Sequence, residues 1–193
     1  MTGKAFHILW ICIALLFSCN SESSAPNRDN FTLKKLEYLA LPSRIGERPQ
    51  TSKDIPHVQI GVSLVPEVHD EMILQIYSIP GVEDQVSVLT SWRALWLNDT
   101  LRINVPEAII DRREFAHIHD DGSLHIFLEP VRADQAVEAG WADHHPFAVQ
   151  SQEGWDGFVL LYTPQTFDEL DVITQLIIDG YNYVTGSFYE KEN

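Results

Sequence analysis

The stretch Arg113 to Glu129, REFAHIHDDGSLHIFLE, places His117, His119 and His125 close together in the chain. Imidazole titrates nearest to neutral pH of all side chains, and it is also a common metal ligand. Whether the three rings meet depends on the turn between them. A two-residue loop at Asp121-Gly122 would pair Ile118 with His125 and split the histidines across the sheet. A three-residue loop, Asp120-Asp121-Gly122, pairs His119 with Ser123 and His117 with His125, with Gly122 as the left-handed residue. The apolar pattern selects the second. In that register Ala116, Ile118, Leu124, Ile126 and Leu128 share one face, and Phe115, His117, His119, Ser123, His125 and Phe127 share the other. Register follows the hydrophobic pattern wherever one face is buried.

A second cluster follows at Gly140 to Pro146, GWADHHP, which reads as a loop carrying Trp141, Asp143, His144 and His145. Loops beside a rigid sheet are where binding and catalysis concentrate. Three chemistries fit the two clusters together. His117, His119 and His125, joined by His145 or Asp143, could hold a divalent ion such as zinc or iron. A histidine pair beside Glu114 or Asp143 could keep one imidazole poised to take a proton. The third is a hydrogen-bonded network that only pins the hairpin to the loop. Three histidines on one strand face favour a functional site. The other histidines read as bland, His69 on a helix surface and His57 in a lead-in after Pro56. Trp92, Trp96, Trp155 and Tyr181 read as packing. No organic-cofactor motif is present.

The elements that must position these residues are readable in outline. Apolar residues at 68, 72, 73, 76 and 77 give helical spacing over Pro66 to Ile79, ended by Pro80-Gly81. Strands are expected at Trp92 to Leu97, Glu114 to His119, Ser123 to Leu128 and Phe158 to Tyr162. A short helix is expected at Arg132 to Glu138, with Gly140 left-handed beyond it. Thr166 and Glu169 form a capping box opening a helix with an apolar stripe of Leu170, Ile173, Leu176, Ile177 and Tyr181. The arrangement is α+β, a small antiparallel β-sheet with helices packed on one face.

At the N-terminus Lys4 precedes an uninterrupted apolar run, Ile8 to Phe17. The run is short for a permanent membrane span but suits a secretory signal. Leu16-Phe17-Ser18-Cys19 resembles a bacterial lipobox, so Cys19 is the expected lipidation site. Cys12 falls within the signal, so neither a disulfide framework nor a thiolate metal site is possible. Any metal must be held by nitrogen and oxygen. The chain divides into a signal at 1–18, a Ser- and Pro-rich tether and lead-in at 19–50 and one domain at 51–193. A short amphipathic helix is expected within the lead-in, at Phe31 to Leu41. A net charge of −15 disfavours nucleic acid and anionic headgroups as partners. The expected partners are a small-molecule ligand and, through the lipid, the cell membrane or outer membrane.

Three ordered motifs carry a family resemblance: EFAHIHDDGSLH, then GWADHHP, then LLYTP before a long helix that ends at Tyr181 to Gly186. Together they resemble the luciferase domain of fungal bioluminescence, a domain also found in many bacterial proteins of unassigned role. The fungal enzyme oxidises a hydroxylated styryl-pyrone with molecular oxygen, emits light and needs no added organic cofactor. The resemblance implies that Glu114, His117, His119, His125, Trp141, His145 and Tyr162 match that family's pattern. His144 stands where the fungal enzyme has another basic residue, and the turn at Asp121-Gly122 is shorter. The expected catalytic set is His117, His119, His125, His145 and Glu114, with Trp141, Asp143, His144 and Tyr162 binding substrate. The implied function is an oxygen-dependent oxidation of a small conjugated hydroxy-pyrone or phenolic compound. The alternative is a small-molecule or metal-binding envelope lipoprotein without turnover.

Overall fold

The computed structural model describes residues 37–150 and 153–191. The expected signal at 1–18, Cys19, and residues 31–36 of the expected helix lie outside that range. Residues 37–41 are not helical. Their carbonyls and side chains serve the domain instead: Leu39 O accepts from the Arg132 guanidinium at 2.9 Å, and Leu41 packs against the core. Among the described residues, no helix is long and apolar enough to cross a membrane.

A six-stranded antiparallel sheet organises the chain. Its strands are β3 (Val82–Val86), β4 (Arg93–Leu97), β5 (Glu114–Ile118), β6 (Leu124–Phe127), β7 (Ala142–His144) and β8 (Phe158–Leu161), in the order β3-β4-β5-β6-β8-β7. A separate ribbon pairs β1 (Gln50–Thr51) with β2 (Gln59–Ile60). The helices are α1 (Pro66–Tyr77), α2 (Pro130–Glu138), α3 (Pro146–Val149) and α4 (Phe167–Thr185). The fold is α+β, as the periodicities predict.

The β5–β6 hairpin has the three-residue turn. Gly122 sits at φ +83°, its N–H donates to His119 O, and His119 N–H donates to Ser123 O. Ala116 pairs with Ile126, His117 with His125, and Ile118 with Leu124. The face carrying Ala116, Ile118, Leu124 and Ile126 is wholly buried in the hydrophobic core, beneath α1, α2 and α4.

One residue changes sides. Leu95 pairs with Ala116 but Trp96 with Glu114, so Phe115 is the extra residue of a β-bulge. Strict alternation puts Phe115 on the histidine face; the bulge turns it into the core, where its ring meets Tyr181 at 6.3 Å. The same bulge brings Glu114 round to the histidines.

Helix α4 starts at Thr166, whose hydroxyl accepts from Glu169 N–H at 3.2 Å. The Glu169 carboxylate caps Gln165 N–H at 2.8 Å rather than completing a box with Thr166. Polar contacts also cross the core: Arg132 on α2 donates from Nε to Asp179 Oδ2 on α4 at 2.7 Å, and both residues are buried.

Gly180 lets α4 lie directly on β6. A Cβ there would stand 2.7 Å from Ile126 Cδ1 and 2.8 Å from the Phe127 carbonyl oxygen. In an open helix interior, replacing glycine by alanine stabilises by about 1 kcal/mol. Here overpacking of about 1–3 kcal/mol should win. Gly180→Ala should therefore lower the urea midpoint, and a raised midpoint would show that α4 has room to spare.

Candidate functional site

Five imidazoles converge on the sheet face opposite the helices. His117 and His119 come from β5 and the residue after it, His125 from β6, His145 from the end of β7, and His57 from the loop between β1 and β2. Each is only 3–4 % exposed. His57 is the residue that sequence reasoning set aside. It reaches the site because the ribbon lies across the histidine face, tied down by Gln59 Oε1 accepting from Thr163 N–H at 3.2 Å and by the Thr51 hydroxyl on Asp143. A pairing between residues so far apart in the chain leaves no local signal.

His125 is the hub. Its Nδ1 lies 3.2 Å from Nε2 of His117 and 3.2 Å from Nε2 of His119, and its Nε2 lies 3.1 Å from Nδ1 of His57. The His57 ring stacks on His125 at 5.3 Å, and the His145 ring meets His125 edge-on at 5.0 Å.

The outer nitrogens are held. His117 Nδ1 is 2.9 Å from Glu114 Oε1, and Glu114 also accepts from the Ser87 hydroxyl at 2.9 Å and Val88 N–H at 2.7 Å. His119 Nδ1 is 2.9 Å from Ser123 Oγ, whose hydroxyl donates to Asp121 Oδ1 at 2.7 Å. His57 Nε2 stands 3.9 Å from Asp143 Oδ2, an ion-pair distance. His145 caps α3, its Nδ1 accepting from Phe147 N–H at 3.2 Å.

Burial disfavours charge on His119, His125 and His145, and neighbouring imidazoles oppose their protonation. The His119 pKa is pushed down to about 3 and that of His145 to about 4, and His125 lies well below its ordinary range. The His57 imidazole, then the Thr51 hydroxyl, hold Asp143 down to about 2. Burial, reinforced by Asp143, pushes Tyr162 up to about 12. The Tyr162 hydroxyl is buried without a hydrogen-bond partner.

Aromatic rings wall the cluster. Phe158 lies 5.2 Å from His125 and 4.8 Å from His145, and Trp155 stacks on His145 at 5.9 Å. Trp92, in the β3–β4 connection and only partly buried, covers His119 at 4.4 Å and His117 at 5.8 Å. Trp92 and Trp155, read from sequence as packing, are therefore neighbours of the site.

Two expected contacts lie elsewhere. Residues 142–144 form a strand, not a loop, and alternation along it separates Asp143 from His144. His144 pairs with Val159 on the helix side and reaches Asp134 of α2 at 3.3 Å. The Trp141 indole N–H donates to Pro42 O at 2.6 Å, and its ring packs in the hydrophobic cluster. His69 is half-buried over the hairpin turn, its Nδ1 without a partner and 3.2 Å from where a Gly122 Cβ would stand.

Neutral buried imidazoles make the fold acid-sensitive. With folded pKa values near 3 for His119 and 4 for His145 against an ordinary 6.5, the unfolded chain binds more protons between those limits. Their contribution to stability is complete above pH 6.5 and is lost as pH falls toward 4. Asp143 adds a loss of the same sign below its ordinary 3.8. Thermal unfolding in chelator should show Tm falling steadily from pH 6.5 to 4. A flat profile would mean that the rings take up protons in the folded state at no cost.

No curated protein and no solved structure matches the chain. A family model does match, over a segment that runs from before β5 into α4 and so contains Glu114, His117, His119, His125 and His145. The match, over residues 112–178, is to the luciferase domain, the family that the three sequence motifs resemble.

Proposed function

We propose that the histidine face carries out an oxygen-dependent oxidation of a small, acidic, conjugated organic molecule, a hydroxy-pyrone or a phenolic compound. The observation that carries this reading is the coincidence of the luciferase-domain match with five buried imidazoles beside aromatic rings. Aromatic walls with a few convergent polar groups are the usual make-up of a small-molecule site.

The proton acceptors are the imidazoles that face a carboxylate, His117 beside Glu114 and His57 beside Asp143. A hydroxyl proton taken from the substrate passes into the network, and the charge it brings is balanced at both ends, by Glu114 beside His117 and by Asp143 beside His57. The anion left behind is delocalised and electron-rich, with molecular oxygen as oxidant and the substrate as the source of the electrons. Trp92 and Trp155, covering rings that are only partly buried, are the ones that would have to move to admit a substrate. Phe158 and Trp155 supply flat surfaces for a conjugated ring. The chain reaches its working place, in this reading, by export and by a lipid on Cys19, which would hold the domain at a membrane despite the chain's net charge of −15.

His125→Gln keeps the size and one hydrogen-bonding group of the hub. It should cost on the order of 1–2 kcal/mol in thermal unfolding and abolish oxygen uptake with a panel of hydroxy-pyrones and phenolic acids. Folded wild-type protein that takes up no oxygen with any of them would sink the oxidation reading. Binding without uptake would put the binding-protein alternative in its place. For the anchor, Cys19→Ala should move the protein from the membrane fraction to the soluble one, and a variant that remained lipidated would refute the assignment.

A further inference from the structure

Two groups of three histidines lie close enough to share an ion, His117-His119-His125 and His57-His125-His145. Their geometry alone does not choose between them, but an account of the protons does.

A neutral imidazole has one N–H and one lone pair. Glu114 already accepts from a hydroxyl and a backbone amide, so the contact at 2.9 Å requires His117 Nδ1 to donate, leaving the Nε2 lone pair free. Ser123 gives its hydroxyl hydrogen to Asp121, so its oxygen accepts from His119 Nδ1–H, and His119 Nε2 is also a lone pair. On the far side, the Asp143 carboxylate draws the His57 proton to Nε2. His57 Nδ1 then accepts from His125 Nε2–H, and the third lone pair, on His125 Nδ1, faces the other two.

In the second group the protons are misplaced. His145 Nδ1 accepts from Phe147 N–H, so its proton is on Nε2, and His57 and His125 share a proton along their 3.1 Å contact. That group presents N–H where an ion needs lone pairs.

The spacing of the first group agrees. Zinc–nitrogen bonds of about 2.0–2.1 Å at tetrahedral angles set neighbouring ligand nitrogens about 3.3–3.4 Å apart. Here His125 Nδ1 stands 3.2 Å from each partner. Carboxylate or hydroxyl groups on the outer nitrogens are also how metal-binding histidines are oriented. With only nitrogen ligands the site suits a first-row transition ion rather than magnesium or calcium.

We infer that Nε2 of His117, Nε2 of His119 and Nδ1 of His125 bind one divalent first-row transition ion. His57 and Asp143 act as positioning residues that fix the His125 tautomer, and His145 is not a ligand. Trp92 covers His119 and His117. This inference does not depend on the substrate or on turnover.

The test uses full-length protein made without a histidine tag, stripped with chelator and titrated with Co2+ and Zn2+. Expected are one equivalent bound, visible absorption of Co2+ in a low-symmetry nitrogen site, and displacement by Zn2+. His119→Gln should lose the ion and His145→Gln retain it, while His57→Gln should weaken affinity about 10–100-fold. Folded wild-type protein that binds no ion or two ions overturns the inference, as does loss of the ion in His145→Gln with retention in His119→Gln. Should His119→Gln fail to fold, the wild-type stoichiometry and the His145→Gln result decide. A bound ion without oxygen uptake would keep the metal site and overturn the oxidation; oxygen uptake by a protein that binds no ion in the titration would do the reverse.

Discussion

Gly122, at φ +83°, closes a turn of three residues, and the rest of the site depends on that count. One residue fewer would set Ile118 opposite His125 and mix apolar and polar side chains on both faces. With the count as it is, one face of β5 and β6 is filled by Ala116, Ile118, Leu124 and Ile126 and receives α4 in close contact at Gly180. The core is therefore complete without the histidines. They occupy the sheet's other side, where β1, β2 and the aromatic rings cover them.

Burying five imidazoles is costly unless their polar atoms are engaged. The structure meets this cost at the periphery. Glu114, wholly buried, is held by Ser87 and Val88 before it reaches His117; Ser123 and Asp121 serve His119; Thr51 and Asp143 serve the His57 side. The inner nitrogens face one another. A group of converging lone pairs at about 3.2 Å is the least satisfied part of the network, and a metal ion would relieve it. Acid sensitivity has a different cause, the burial that disfavours charge on His119, His125 and His145.

Much of this was legible in the sequence because it is local. The hairpin register, the shared face of His117, His119 and His125, and helices α1, α2 and α4 follow from period and turn chemistry over short stretches. What escaped needed distant or non-periodic information. His57 arrives on a ribbon docked by Gln59 and Thr51, residues with no helical or strand pattern of their own. His144 was read beside Asp143 in a loop, but β7 is a strand, and its pleat sends the two to opposite faces. Phe115 and Glu114 exchange sides because of a bulge that neither residue announces. Residues 37–41 are expected as helix but are not helical, and Leu39 and the following Pro42 supply carbonyls to Arg132 and Trp141.

The charge distribution sets a condition on the proposed chemistry. A chain with a net charge of −15 repels preformed anions. The neutral, protonated form of an acidic hydroxy compound meets no such barrier, and apolar rings at Trp92, Phe158 and Trp155 favour it further. Ionisation then belongs inside the site, where an imidazole that faces a carboxylate can take the proton. The acidic exterior and the uncharged, electron-pair-rich interior act in the same direction: entry as the neutral acid, reaction as the anion.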